Sequence, residues 1–435
     1  MSRRFELFRR ILATTLTAHR PSTGRPEPQI ARRKSRGRTT RAAFAAVLVF
    51  ALPAAAGAQS WSADKAQQID QLVERFRSLK SDGATAPTLS IAVGVNGKLA
   101  LAKGYGASDG RPVTEHTLYE VGSLTKQFTA AAVLELIRDG ATSVQTRKKL
   151  TLNTPLVDVL GKNSYWAAQP WLTVGRLLSM TSNLPNFTRR PPPDTNPWEP
   201  VSAEHLYRDI ENSTPPDPSS DFDYSNTNYF LLAEIMEQVV VPGNPSPESY
   251  HDLLRKRLFE PAGMLNSSFI GELRDDLDPP NPYAPDAQPQ PISTASVAQG
   301  AVLASPDYRM RSRPPFTNPD WLKGSGDMVS SALDLFTWHK ALMDGAVVPA
   351  DVRDQMFSDS ARVAPLIYYG MGWFCEHRDD RDIYSHSGAV PGYTSYNAII
   401  RLKNGGWVSI TLLSNCDQLD GLDTLADNIT DIVLR

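Results

Sequence analysis

Strand-like runs at both ends of a 435-residue chain bracket a middle that reads as helices, and this arrangement narrows the fold more than any other feature. Near the start, LSIAVGVNGKLALAKGYG holds two β-patterned runs around Asn96-Gly97, the strongest short hairpin signature. Near the end, YGMGWFCEH, DIYSHSG, TSYNAIIRL and WVSITLLSN follow one another before a last helical pattern at 422–434. Between them lie TVGRLLSM and NYFLLAEIMEQVV, separated by proline-rich breaks such as TRRPPPDTNPWEP. The simplest packing is one sheet closed by its two terminal regions with a helical subdomain inserted, an α/β chain of the α+β type.

Ser62 can cap a helix in which Ile69, Leu72, Val73, Phe76 and Leu79 recur at helical spacing. SSALDLFTWHKALM, 330–343, is a second helical pattern. Residues 279–319 carry ten prolines and almost no periodicity, which predicts a long loop acting as a lid. The length would suit two or three average domains or one large mixed unit, and no internal repeat is evident.

Residues 1–41 contain twelve Lys/Arg against Glu6 and Glu27, and AAFAAVLVFALPAAAGAQS follows. A basic region, an apolar region and the small residues Ala56-Gly57-Ala58 predict a signal peptide within a 1–58 leader, cleavage after Ala58, and a 59–435 catalytic unit in the periplasm or secreted. The remainder carries 33 of the 45 basic and 45 of the 47 acidic residues, a net charge of −12. That balance argues against nucleic-acid or anionic-membrane partners. No run reaches 18 consecutive apolar residues, so no membrane span is expected in the mature chain. An oxidising compartment permits one disulfide between Cys375 and Cys416. Seven histidines are scattered singly without an HExxH or paired-cysteine pattern, so neither metal nor other cofactor is called for.

The stretch VGSLTKQFTAAAVLELIRDG reads as one buried helix ending at Gly140, with Ser123 at its start and Lys126 three residues on. Those two side chains share a helix face. A serine hydroxyl becomes a nucleophile when a neighbour takes its proton, and Lys126 is placed to help as an ammonium or as a neutral amine. The helix start adds a positive field and N–H donors suited to an oxyanion. Alone, S-x-x-K also describes a surface Ser and Lys. Gly106 to Gly110, GASDG, matches a nucleophile-elbow pattern around Ser108, but Arg111-Pro112-Val113 follows where a helix should start, so it reads as a turn.

Two further triplets lie downstream: Tyr224-Ser225-Asn226 ahead of an apolar helix, and His386-Ser387-Gly388 at the end of a strand. SLTK, YSN and HSG, in this order, resemble the serine β-lactamase and penicillin-binding protein superfamily, especially its class C β-lactamase, D-Ala-D-Ala carboxypeptidase and esterase branch. LLSMTSNLP, FEPAGMLNSS and GSGDMVSSALDLFTW extend the resemblance over roughly residues 65–430.

The resemblance implies a β-lactamase/transpeptidase-like fold, an antiparallel sheet flanked by helices beside an all-helical subdomain, with the active site between them. It implies that Ser123 attacks a carbonyl while its own N–H and that of Ala389 hold the oxyanion. Tyr224 would be the general base, its pKa lowered by a Lys126 cation, or Lys126 would be the base itself. Asn226 would bind a substrate amide. His386 stands where the family has lysine and would titrate near neutrality, and within the HSG triplet Ser387 and Gly388 would line the substrate strand, Gly388 giving it room. Met180 and Asn183 replace the usual His and Gly of their loop, and no class A E-x-x-L-N motif occurs. The expectation is an exported serine hydrolase acting on an ester, amide, peptide or peptidoglycan-like substrate. A class C type β-lactamase or a catalytically idle penicillin-binding homologue is the alternative.

Overall fold

The computed structural model describes residues 61–81, 86–108, 110–161, 168–189, 203–212, 218, 221–272, 298, 300–304, 309–313, 322–416 and 419–435. The leader therefore lies outside the described residues. In chain order the principal elements are α1 (Ala63–Leu79), β1 (Leu89–Val95), β2 (Lys98–Tyr105), β3 (Leu118–Glu120), α2 (Thr125–Arg138), α3 (Asn226–Met236), β4 (Met328–Ser331) and α4 (Ala332–Asp344). Then come β5 (Ala361–Ala364), β6 (Ile367–Tyr369), β7 (Phe374–His377), β8 (Arg381–Val390), β9 (Tyr393–Leu402), β10 (Trp407–Ser414) and α5 (Leu422–Leu434).

One eight-stranded sheet runs β5-β6-β7-β8-β9-β10-β1-β2. The β1–β2 hairpin turns at Asn96 and Gly97, whose φ values of 50° and 76° are the left-handed pair that a tight hairpin turn requires. β1 then pairs antiparallel with β10, Ser90 opposite Leu413, so the two ends of the chain close a single sheet as their patterns predict. Alternation assigns the faces. Ile91 and Val93 join Ile410 and Leu412 under α1 and α5, whereas Ala92, Ile399 and Leu413 face the larger core. Ser62 Oγ caps α1 by accepting from Lys65 N, and buried Ile69 and Val73 fasten that helix to the sheet, each worth about 1.5–3 kcal/mol of apolar burial.

The opposite face carries α4 and α2, the latter tied to β9 by Gln127 Nε2 donating to Asn397 Oδ1 at 2.7 Å. From Thr125 to Leu136 every residue of α2 is buried, which makes it the central helix of the molecule rather than an amphipathic surface one. Phe128 packs on Trp338 of α4, ring centroids 4.4 Å apart, and edge-on to Phe259 at 5.6 Å. β3 and β4 pair antiparallel in a small separate sheet that leads into α2.

Two expectations change, and the open question of a disulfide is answered. Within the segment read as a structureless lid, Gly300–Ala304 and Arg309–Arg313 form a two-stranded antiparallel ribbon; most of the rest lies outside the described residues. YGMGWFCEH is not one strand, because Gly370 to Trp373 turns between β6 and β7. Cys375 and Cys416 are not joined by a disulfide. Cys375 belongs to β7 and Cys416 follows β10, three strand spacings away, about 14 Å. They also sit in the two different cores. A disulfide needs Cα atoms within about 7 Å, and the sheet keeps them apart. No described helix is long and apolar enough to cross a membrane.

Candidate active site

Ser123 lies between β3 and α2, in the 3-10 turn Gly122–Leu124 that feeds directly into the helix. In that tighter geometry residues three apart eclipse, so Ser123 and Lys126 stand one above the other. Lys126 Nζ is 2.9 Å from Ser123 Oγ, and it also donates to Asn226 Oδ1 at 2.7 Å and to the Ser325 carbonyl at 2.6 Å. Lys126 is fully buried, and burial pushes its pKa well below the usual lysine value, with buried Asp327 acting the other way. A neutral amine fits these three contacts: two N–H groups for Asn226 and Ser325, and a lone pair for the serine proton.

Tyr224 comes from the segment just before α3 and is hydrogen-bonded to Ser123. Its ring centroid is 5.0 Å from Lys126 Nζ. The expected lowering of its pKa by a Lys126 cation is not what the site produces. Burial raises it above the ordinary phenol value, the bond to Ser123 being the opposing influence, while Lys126 is itself discouraged from carrying charge.

Asn226 is the first residue of α3 rather than its cap, which is Ser225. Its Oδ1 serves Lys126, its Nδ2 donates to Thr188 Oγ1 at 3.0 Å, and its backbone N donates to Asn186 Oδ1 at 3.2 Å. One amide hydrogen is left beyond the Thr188 bond.

The HSG triplet lies along β8 against the serine turn. Gly122, at φ +53°, is so close that a Cβ there would fall 3.1 Å from Ala389 N. A Cβ on Gly388 would meet the Val121 carbonyl at 2.1 Å, Ser395 Oγ at 2.3 Å and Ser123 N at 3.1 Å. Gly388 therefore makes room for the chain's own backbone, not for a substrate as the resemblance suggested. Ser395 Oγ, donating to the Val121 carbonyl at 2.8 Å, locks the approach. Backbone nitrogens of Ser123 and Ala389 thus sit on two abutting segments, and Ser123, Ser387 and Ala389 are the half-buried residues along this junction.

His386 departs from expectation. It is buried, its Nδ1 donates to the Ser387 carbonyl at 2.7 Å, and Nε2 lies 3.5 Å from Tyr369 OH. Burial, with a smaller push from Lys126, lowers its pKa to about 3, so near pH 7 it is neutral and titrates nowhere close. No positive charge stands where the family's lysine would be.

Sequence reasoning missed several neighbours. Tyr369 and Phe374 wall the site, Phe374 stacked parallel to Tyr224 at 6.5 Å and edge-on to Tyr369 at 4.9 Å. Asn186 and Thr188 follow directly on LLSMTSNLP, and Ser325 and Asp327 fall inside GSGDMVSS; both stretches were legible only as resemblance. Met180 and Asn183 take φ of 58° and 54°, so the loop keeps two left-handed positions without glycine. The Met180 carbonyl accepts from Asp223 N at 2.9 Å and so sets the segment bearing Tyr224. Ser108 sits in a two-residue hairpin, Ala107–Ser108 against Arg111–Pro112, with no helix behind it.

A large antiparallel sheet with helices on both faces, and a serine turn where that sheet meets the helical region, is the β-lactamase/transpeptidase-like fold. The chain belongs to the Beta-lactamase family, whose model matches residues 66–433, and members of this family are serine hydrolases. Penicillin-binding protein 4 of Amycolatopsis lactamdurans is 27% identical over 365 residues, 79% of this chain and 84% of that protein. Protein flp of Staphylococcus aureus (strain N315) is 25% identical over 372 residues; the match takes in 81% of this chain and 64% of flp. The crystal structure of D-amino acid amidase from Ochrobactrum anthropi SV3 complexed with D-phenylalanine is similar in fold, with a TM-score of 0.64 at 20% identity, over 84% of this chain and 99% of that one.

Proposed function

We propose that this chain is an exported hydrolase that cleaves an ester, amide or peptide bond through an acyl-enzyme on Ser123. The observation that carries the reading is Lys126 Nζ, buried and 2.9 Å from Ser123 Oγ, with two other acceptors already fixing its orientation. Lys126 as a neutral amine takes the Oγ proton while Oγ attacks the carbonyl carbon, and the N–H groups of Ser123 and Ala389 receive the developing oxyanion. Tyr224, a phenol kept protonated by burial, gives its proton to the leaving nitrogen or oxygen and is reprotonated from the Lys126 ammonium. Water then enters by the reverse sequence and releases the acid. The spare Asn226 amide hydrogen and the β8 edge at Ser387 hold the substrate.

Neutral His386 argues for substrates without a carboxylate at that position. D-amino-acid amides and esters fit better than penicillins or peptidoglycan stems, consistent with the fold shared with a D-amino acid amidase. The purified mature chain is assayed with D-phenylalanine amide, a chromogenic acyl ester and a fluorescent penicillin, beside Ser123→Ala and Ser108→Ala. Turnover lost in Ser123→Ala and retained in Ser108→Ala supports the reading. A stable penicillin label on Ser123 without turnover of anything replaces it with an acyl trap, and activity that survives Ser123→Ala overturns it.

A further inference from the structure

The 3-10 turn Phe187–Arg189 lies against the start of α3, and two bonds to one hydroxyl hold its backbone there. Thr227 Oγ1 donates to the Pro185 carbonyl at 2.6 Å and accepts from Phe187 N at 3.2 Å. Neither bond uses the side chains of Asn186 and Thr188, which are buried. Those two side chains lead instead toward Lys126, in a series of bonds whose directions can all be worked out. Asn186 faces the backbone N–H groups of Asn226 and Thr188, each 3.2 Å away, and a main-chain N–H can only donate. The atom facing them is therefore Oδ1. Asn186 Nδ2 meets no hydrogen-bond partner among the described residues, so the side chain is held by its oxygen alone. Thr188 Oγ1, 2.9 Å from the same oxygen, directs its single hydrogen there. With that hydrogen committed, Thr188 Oγ1 can only accept from Asn226, so the Asn226 atom 3.0 Å away is Nδ2. The other end of the carboxamide is then Oδ1, and it meets Lys126 Nζ at 2.7 Å as an acceptor. The Ser325 carbonyl, at 2.6 Å, is a second acceptor. Two positions of the Lys126 nitrogen are thus taken, and a third faces Ser123 Oγ, 2.9 Å away.

We propose that Asn186 and Thr188 are positioning residues: a hydrogen-bond relay that fixes which way round the Asn226 carboxamide stands and so aims the Lys126 nitrogen at Ser123. The inference rests on the reading of Ser123 and Lys126 given above. What the relay excludes is a turned-over Asn226. An amide has nearly the same shape either way round, and only its partners tell the oxygen from the nitrogen. Turned over, it would bring Nδ2 to Lys126, whose nitrogen would have to accept rather than donate. A neutral amine has one lone pair, and a bond from Asn226 would occupy the pair needed for the serine proton. Thr188 opposes that state because a turned amide would set Oδ1 against an oxygen whose hydrogen Asn186 already holds. Both residues act through Asn226 and not on the reacting atoms.

The test follows the rate of Ser123 labelling by a fluorophosphonate in the intact mature chain against reagent concentration, which separates the maximal rate from the half-saturating concentration. Thr188→Val keeps the shape and removes the hydroxyl. Its maximal rate should fall about five- to tenfold, the effect of one hydrogen bond, at an unchanged half-saturating concentration. Thr188→Ser restores the hydroxyl and should recover the wild-type rate. Because Thr188 acts through Asn226, Thr188→Val introduced into Asn226→Ala should lower the rate no further. Melting temperatures show which variants are folded, and Thr188→Ala replaces Thr188→Val if the latter is not. A hydroxyl with a merely structural role would lower the melting temperature and leave the maximal rate alone. An undiminished maximal rate in the folded variant lacking the hydroxyl, a Thr188→Ser no faster than that variant, or the full loss repeated on top of Asn226→Ala overturns the relay and leaves the hydrolase reading standing. A wild-type chain unlabelled at Ser123 overturns both.

Discussion

The Cα of Gly388 lies so close to Val121 that a Cβ would fall 2.1 Å from the Val121 carbonyl oxygen, well inside contact distance. The strand carrying Ala389 and the turn carrying Ser123 are therefore held together by the absence of a side chain. Gly388→Ala must push the two apart and separate the two N–H donors. Loss of one oxyanion donor costs roughly 10²–10³ in rate, and Gly388→Ala should lose at least that in kcat. Kinetics beside a thermal melt check it: a folded variant with wild-type kcat would contradict the arrangement.

Two buried histidines should make the protein less stable in acid. His386 and His339 both have pKa values lowered to about 3 by burial, from an unfolded value near 6.5. Between those values the unfolded chain binds more protons, so stability falls as pH drops, each histidine adding up to about 1.4 kcal/mol per pH unit. His339 donates or accepts at Nδ1 with Ser409 Oγ, 2.7 Å away, and its Nε2 has no hydrogen-bond partner among the described residues. Replacing His339 by Gln, which cannot take up a proton, should flatten the slope of melting temperature against pH below 6.5.

Glu135 works in the opposite sense. Burial in α2 raises its pKa to about 7 despite Arg138 and Arg257 nearby. The folded state then binds the extra proton between about 4.5 and 7, and its contribution is lost as pH rises through that window. Glu135→Gln should leave stability at pH 5 nearly unchanged and raise it at pH 8, read from denaturant midpoints at the two pH values. A midpoint at pH 8 that drops instead would show the ion pair with Arg138 to matter more.

Neither cysteine should respond to redox conditions in the folded protein. A thiol reagent should count two thiols after denaturation without reductant and almost none before, since Cys375 and Cys416 are both buried. Reductant should leave the melting temperature unchanged.

Sheet closure was legible because strand alternation and the Asn96-Gly97 turn are local, repeating features. That Ser123, Lys126, Tyr224 and the HSG triplet come together was legible because the proposed acyl transfer restricts the residue types at each place. What could not be read was anything decided by burial. The lowered pKa of Lys126, the raised one of Tyr224 and the lowered one of His386 all depend on which distant segments cover them, and isolated side chains suggest the reverse. Asn226 with Asn186 and Thr188, and the wall of Tyr369 and Phe374, are partnerships between remote segments that no spacing rule connects. The ribbon at 300–313 escaped because prolines on either side mask its short pattern.

Because β1 bonds to β10, and the serine turn leans on β8, Ser123 has no complete surroundings until nearly the whole polypeptide has been made. A chain still emerging from the ribosome holds Ser123 and Lys126 on a helix without a sheet to rest on. The surroundings of Ser123 are therefore completed only at the end of synthesis, and a molecule shortened at its C-terminus by even α5 and β10 would lose a site located some three hundred residues earlier.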